Sequence, residues 1–203
     1  MYSIDLTGKK GIIVGVANDR SIAWGIASIL AQAGAQLALT YQNDRVKERV
    51  TKLADTLDGA ITVPCDATDD AQVEEVFRQV GENFGEISFL VHSIAFANRE
   101  DLTGSFSDTS RDGFRIALEV SAYTLLPLVH HAAKMMPNGG SIVTMTFDAS
   151  QRVYPGYNIM GTAKAALEHE VHQLAAEHGS QNIRVNAISA GPLDTPSARG
   201  IGG

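Results

Sequence analysis

Gly11-Ile-Ile-Val-Gly15 is the stretch that decides the fold. A short apolar run between glycines reads as a buried β-strand. Val16-Ala-Asn-Asp-Arg-Ser21 follows as a polar turn, and residues 21–33 carry apolar side chains at helical spacing up to Gly34. Residues 36–41, Gln-Leu-Ala-Leu-Thr-Tyr, form the next apolar run. Apolar strands joined by an amphipathic helix are the unit of a parallel sheet covered on both faces.

The same alternation continues outward. Residues 44–57 read as a helix, 61–65 as a third strand, and 71–84 as a helix with Asp69 or Asp70 as its N-cap. Residues 87–92 make a fourth strand, followed by a loop from about 93 to 110. Residues 112–134 read as one long helix in which Pro127 predicts a kink. Residues 141–146 and 183–188 are the fifth and sixth strands, and 155–178 is the long helix between them. Right-handed crossovers then give a doubly wound, Rossmann-like α/β fold in a single domain spanning 1–203. Ligands of such folds bind beyond the carboxyl ends of the strands.

The bulk properties fit this fold and exclude some functions. The chain has 203 residues, 44% hydrophobic and 19% charged, which suits one globular domain with a substantial core. A net charge of -7 argues against nucleic acid as a partner. The lone Cys65 excludes an internal disulfide and suits a reducing compartment, so a cytoplasmic location is expected. Neither a signal peptide nor an apolar run of membrane-spanning length is visible, and no membrane partner is expected.

Two sets of residues carry chemistry. The first is the turn after the opening strand. Gly15 permits a tight turn, Ser21 opens a helix whose free amides suit a phosphate, and Gly25 is expected to let that helix pack closely on the sheet. The G-x-G-x-x-G fingerprint is absent. At the end of the second strand, Tyr41-Gln42-Asn43 offers neutral polar groups to a ribose, while Arg45 and Lys47 point along the next helix. The 2′-phosphate of NADPH calls for a well-placed arginine, so the reading favours NADH. Asp66 after the third strand suits either an adenine amino group or an Asx turn. His92-Ser-Ile-Ala-Phe-Ala97 is small and apolar where a nicotinamide ribose would pass.

The second set is Tyr157-Asn-Ile-Met-Gly-Thr-Ala-Lys164. Seven residues are almost two helical turns, so phenol and ammonium point the same way, roughly 10 Å apart along the axis. A tyrosine can donate to a developing oxyanion, and a nearby lysine can hold a cofactor. Other candidates read as structural. His169 and His172 lack the spacing of a helical zinc site, His130 and His131 likewise, and no metal is expected. Cys65 reads as an inert buried thiol.

With these pieces placed, the chain resembles the short-chain dehydrogenases/reductases, and more narrowly the NADH-dependent bacterial enoyl-acyl-carrier-protein reductases of fatty-acid synthesis. The matching stretches are residues 15–25, 92–99, 157–164 and 182–192. Most short-chain reductases place the tyrosine four positions before the lysine, where Met160 stands here. The resemblance implies that Gly15, Ser21, Ile22, Gln42, Asp66, Ala67 and Ile94 contact the dinucleotide and that Lys164 holds the nicotinamide ribose. It further implies that Leu193 and Thr195 close over the cofactor, that Ala97 faces the acyl chain, and that Tyr157 binds the thioester carbonyl. An acyl-carrier-protein-linked enoyl substrate and a homotetramer joined through residues 112–134 and 155–178 also follow from it.

The wide spacing has a chemical rationale. In ketone reduction hydride and proton go to adjacent atoms. In an enoyl thioester, hydride goes to Cβ and charge develops on the more distant carbonyl oxygen. Moving the phenol one turn, about 5 Å, follows that charge.

Three departures qualify the resemblance. Phe147 stands where the family has a second tyrosine, ten positions before Tyr157. Asp148 and Asp194 place carboxylates where the family is apolar or basic. The sequence given ends at Gly203, before the family's substrate-covering helices and seventh strand. A ketone or aldehyde reductase and a non-catalytic relative therefore stay open as alternatives.

Overall fold

A computed structural model of the protein describes residues 4–191 and 193–195. Six parallel strands form one sheet: β1 (Lys10–Val14), β2 (Gln36–Tyr41), β3 (Ile61–Pro64), β4 (Phe89–His92), β5 (Gly140–Thr146) and β6 (Ile183–Ser189). Their spatial order is β3-β2-β1-β4-β5-β6, so the chain reverses direction across the sheet between β1 and β4. The expected doubly wound topology is therefore present. In such a sheet the loops leaving strands on either side of the reversal part, and a crevice opens between them.

Successive strand residues point to opposite faces, and the core divides accordingly. Ile12 packs on one face with Leu90 and Ile142, against Val76 and Val80 of α3 (Asp70–Phe84), Leu128 of α5 (Leu125–Lys134) and Leu167 of α6 (Asn158–His178). Ile13 packs on the other face with Leu37, Leu39 and Val91, against Ala23 and Ala27 of α1 (Ile22–Gln32) and Val50 of α2 (Asp44–Ala54). Asp69 caps α3 by accepting from the amides of Ala71 and Gln72. That settles the cap on the first of the two aspartates.

Three sequence expectations need correction. The helix expected over 112–134 is two helices, α4 (Arg111–Leu118) and α5, joined by a π-helical turn at Glu119–Tyr123. The break thus lies upstream of Pro127, which sits in the first turn of α5, where its missing N–H is tolerated. Polar side chains hold the wider turn. The Thr124 amide donates to Glu119 O at 3.2 Å, the Thr124 hydroxyl to Val120 O at 2.9 Å, and Ser121 bonds the backbone of Phe96. Gly25 does not pack on the sheet: it is exposed, and a side chain there would meet open space. The close approach of α1 uses Ala23 and Ala27 instead. Finally, α6 begins at Asn158, so Tyr157 is its N-cap residue rather than part of its first turn.

Candidate active site

All of the sequence-assigned residues that are described lie at or just beyond the carboxyl edge of the sheet. Gly15 follows β1 at φ +103°, and a Cβ there would lie 2.1 Å from Ser93 O. The loop leaving β1 is therefore drawn against the loop leaving β4, at the point where the strand order reverses. Only glycine supplies both that backbone conformation and that contact. Beyond it Ser21 caps α1: its hydroxyl donates to Asn18 O at 2.7 Å and accepts from the Trp24 amide at 3.3 Å. Gly25 N reaches Ser21 O at 3.1 Å. The amides of Ile22 and Ala23 remain as first-turn donors without an acceptor inside the helix. A glycine cradle followed by free amides at a helix N-terminus fits a dinucleotide pyrophosphate.

Next along the edge, Cys65 N donates to Tyr41 O at 2.8 Å, so the residues after β2 and β3 run side by side. This brings exposed Gln42 near half-buried Asp66 and buried Ala67. Of the two readings of Asp66, the Asx turn forms: its Oδ1 accepts from the Thr68 amide at 3.1 Å and the Thr68 hydroxyl at 2.8 Å. Its Oδ2 takes no part in those bonds. Cys65 is buried, and burial pushes its thiol up to about 12, as suits an inert residue.

The loop after β4 is firmly held. Ile94 packs against the main core. The Ser121 hydroxyl donates to Phe96 O and accepts from Phe96 N, both at 2.9 Å. Buried Asp101 accepts from the Ser110 amide at 3.0 Å, which ties the loop to the start of α4. Ala97 lies in a small apolar cluster with Leu102, Leu118, Met160, Ala163 and Tyr157.

The motif on α6 meets the end of β5. Lys164 is 4% exposed, and its ammonium donates to Met145 O at 2.7 Å. One turn on, Glu168 accepts from the Thr146 hydroxyl at 2.7 Å. These two bonds grip α6 onto β5. At Gly161 a Cβ would come 2.8 Å from Ala149 O, so the first turns of α6 can press against the segment leaving β5. Burial lowers the Lys164 ammonium to about 8, with Glu168 opposing the shift. Tyr157 stands at the helix start with its amide on Tyr154 O at 3.2 Å. Its ring meets Phe147 edge-on, centroids 5.1 Å apart at 68°. Burial pushes its phenol up to about 12, so it remains an O–H donor across the neutral range. Met160 is buried in the apolar cluster and offers no proton.

His92 carries a role that the sequence reading passed over. It is fully buried at the end of β4, with Nδ1 2.8 Å from Thr144 Oγ1 and Nε2 2.9 Å from Thr124 Oγ1. Thr124 already donates to Val120 O, so it accepts here, and the ring proton sits on Nε2. Nδ1 then accepts from Thr144. Burial first, and the nearby Lys164 second, lower the ring to about 3 and keep it neutral. The signal was available: His92 and Thr144 are register partners across β4 and β5.

Leu193 and Thr195 follow β6, whose end is tied to β5 by Ala190 N on Thr146 O at 3.3 Å. Leu193 is half exposed at 50%, and Asp194 beside it is exposed. Among the described residues, no group of three or more His, Cys, Asp or Glu side chains is placed to hold a metal. No described helix is long and apolar enough to cross a membrane.

Residues 15–203 match the family model described as enoyl-(acyl carrier protein) reductase. The chain belongs to that family. It is 50% identical over 197 residues to enoyl-[acyl-carrier-protein] reductase [NADH] 1 of Rhizobium meliloti (strain 1021), covering 97% of this chain and 72% of that one. The Bacillus cereus enoyl-acyl carrier protein reductase, solved with NADP+ and indole naphthyridinone, superposes at TM-score 0.95 with 49% identity, over 97% of this chain and 77% of that one. The Anaplasma phagocytophilum enzyme, solved in complex with NAD, gives 0.91 and 43%, over 96% of this chain and 76% of that one. The family assignment accords with the spacing read from Tyr157 to Lys164 and with the buried methionine between them.

Proposed function

We propose that the protein reduces the trans-2 double bond of an enoyl thioester carried on acyl carrier protein, with NADH as reductant. The observation that carries this reading is the pairing at the end of β5. A phenol held protonated at the start of α6 and a buried lysine seven residues on lie beside a methionine that cannot donate. When bound, the nicotinamide supplies the hydride. The remaining work belongs to this chain. Gly15, Ser21 and Ile22 would receive the pyrophosphate, and Gln42, Asp66 and Ala67 the adenosine. Ile94, Leu193 and Thr195 would line the nicotinamide. Lys164 would donate to the nicotinamide ribose, most strongly in its ammonium form. Ala97 would face the acyl chain from the apolar cluster it shares with Tyr157. The Tyr157 O–H would donate to the thioester carbonyl oxygen as negative charge develops there.

Neutral groups at Gln42 and Asn43 favour NADH over NADPH. The purified protein should oxidise NADH in the presence of a 2-enoyl thioester and leave a β-ketoacyl thioester untouched. Turnover of the ketone alone would replace this reading with carbonyl reduction.

We also propose assembly as a homotetramer through α4, α5 and α6. Phe114 and Tyr123 are exposed there, at 43% and 53%. They line a groove of about 620 Å³ that also holds Leu118, Ala166 and Glu170. Glu170 Oε2 is buried without a hydrogen-bond partner among the described residues, and burial raises that carboxyl to about 7. A mass measurement in solution tests the assembly, and a monomer would contradict it.

A further inference from the structure

Tyr157 has an unusual support. Its hydroxyl makes none of the side-chain hydrogen bonds found among the described residues, and the second tyrosine implied by the family resemblance is Phe147. Packing alone aims the phenol. It packs in a cluster with Ala97, Leu102, Met160 and Ala163. It also packs against the Phe147 ring, which in turn contacts Tyr154, centroids 5.0 Å apart at 38°. The Tyr154 hydroxyl donates to Asp148 Oδ2 at 2.9 Å, and Arg152 Nε approaches the same oxygen at 3.3 Å. The intervening backbone is closed on itself: Ser150 N donates to Phe147 O, and Gln151 N and Arg152 N donate to Asp148 O, each at 3.0 Å. Tyr154 O then accepts the Tyr157 amide.

We propose that Tyr154 and Asp148 are positioning residues for Tyr157, acting through the Phe147 ring that contacts both tyrosines. The proposal rests on the reading of Tyr157 as oxyanion donor. Asp148 thereby gains a use: the carboxylate that departs from the family pattern anchors the outer wall of the donor. Tyr154 does not touch the reacting atoms. Its contribution is the angle at which Tyr157 meets the carbonyl, and small displacements of a donor are costly in rate.

A double-mutant cycle in the full-length protein tests this, with NADH and a 2-enoyl thioester as substrates. Tyr154→Ala should lower kcat by about tenfold and leave KM for the thioester and NADH binding within about twofold. In a Tyr157→Phe background the same change should cost nothing more, because there is no donor left to aim. Asp148→Ala should behave like Tyr154→Ala, and Asp148→Asn, which keeps an acceptor oxygen, should restore most of the rate. Should Tyr154→Ala fold poorly, Tyr154→Phe removes only the hydroxyl and should show a smaller loss that also vanishes in the Tyr157→Phe background. An equal fold-loss in both backgrounds, or no loss in either, would overturn the positioning role. Full activity of Tyr157→Phe itself would instead remove the reading beneath it.

Discussion

The two halves of the site are built on different principles. Around β1 and α1, backbone does the work: a glycine at φ +103°, a carbonyl it must not strike, and helix amides that any side chain could flank. Around β5 and α6, individual side chains do it: Lys164 on Met145 O, Thr146 on Glu168, and Phe147 between Tyr154 and Tyr157. The first half should therefore fail through folding and the second through chemistry. A backbone-built site also tolerates drift in its sequence, which is consistent with a recognisable turn that lacks the G-x-G-x-x-G pattern.

Gly15→Ala is the hardest test of that contrast. The added Cβ meets Ser93 O in a backbone region that alanine avoids. A loss of about 3 kcal/mol or more in chemical denaturation is expected, together with loss of NADH binding. Normal stability would show that the two loops part easily and that the backbone account is wrong. Lys164→Ala should do the reverse, weakening NADH by about a hundredfold in calorimetry with little loss of stability. Burying its charge is unfavourable to folding, by about 3 kcal/mol at neutral pH. Because its pKa is lowered to about 8, that penalty is full below pH 8 and is relieved as pH rises toward 10.5. NADH affinity should fall over the same window as the ammonium is lost. Affinity flat to pH 10 would separate Lys164 from the cofactor.

His92 sharpens the comparison from the acid side. Its ring is held neutral at about 3 in the folded protein against an ordinary 6.5. The unfolded chain thus binds more protons between those values, and stability falls as pH drops from 6.5 toward 3, by as much as about 4 kcal/mol. His92→Gln should flatten that slope in denaturation series. The smallest effect belongs to the surface. Removing the exposed Lys52–Glu48 pair should leave the denaturation midpoint unchanged within measurement error.

The sheet was legible because its strands are apolar on both faces, so that short runs such as Gln36–Tyr41 could be delimited from sequence alone. The break at Glu119–Tyr123 was hidden, because its cause is tertiary: Ser121 and Thr124 bond Phe96 and His92, which lie far away in sequence. Gly25 misled for the opposite reason. Its place in a motif suggested a packing role, and the small residues facing the sheet are two alanines. At the site, Lys164 was readable as a helix residue, whereas the helix starts one residue after Tyr157. The contact of Tyr154 with Asp148 was not readable, since a loop has no period from which to infer which side chains meet.

The central claim is that Tyr157, not a residue one turn further along, donates to the carbonyl oxygen of the thioester being reduced. The most direct measurement is kcat for a 2-enoyl thioester with NADH in Tyr157→Phe. The account predicts a fall of about a hundredfold or more with KM nearly unchanged. Undiminished kcat in that variant would contradict it.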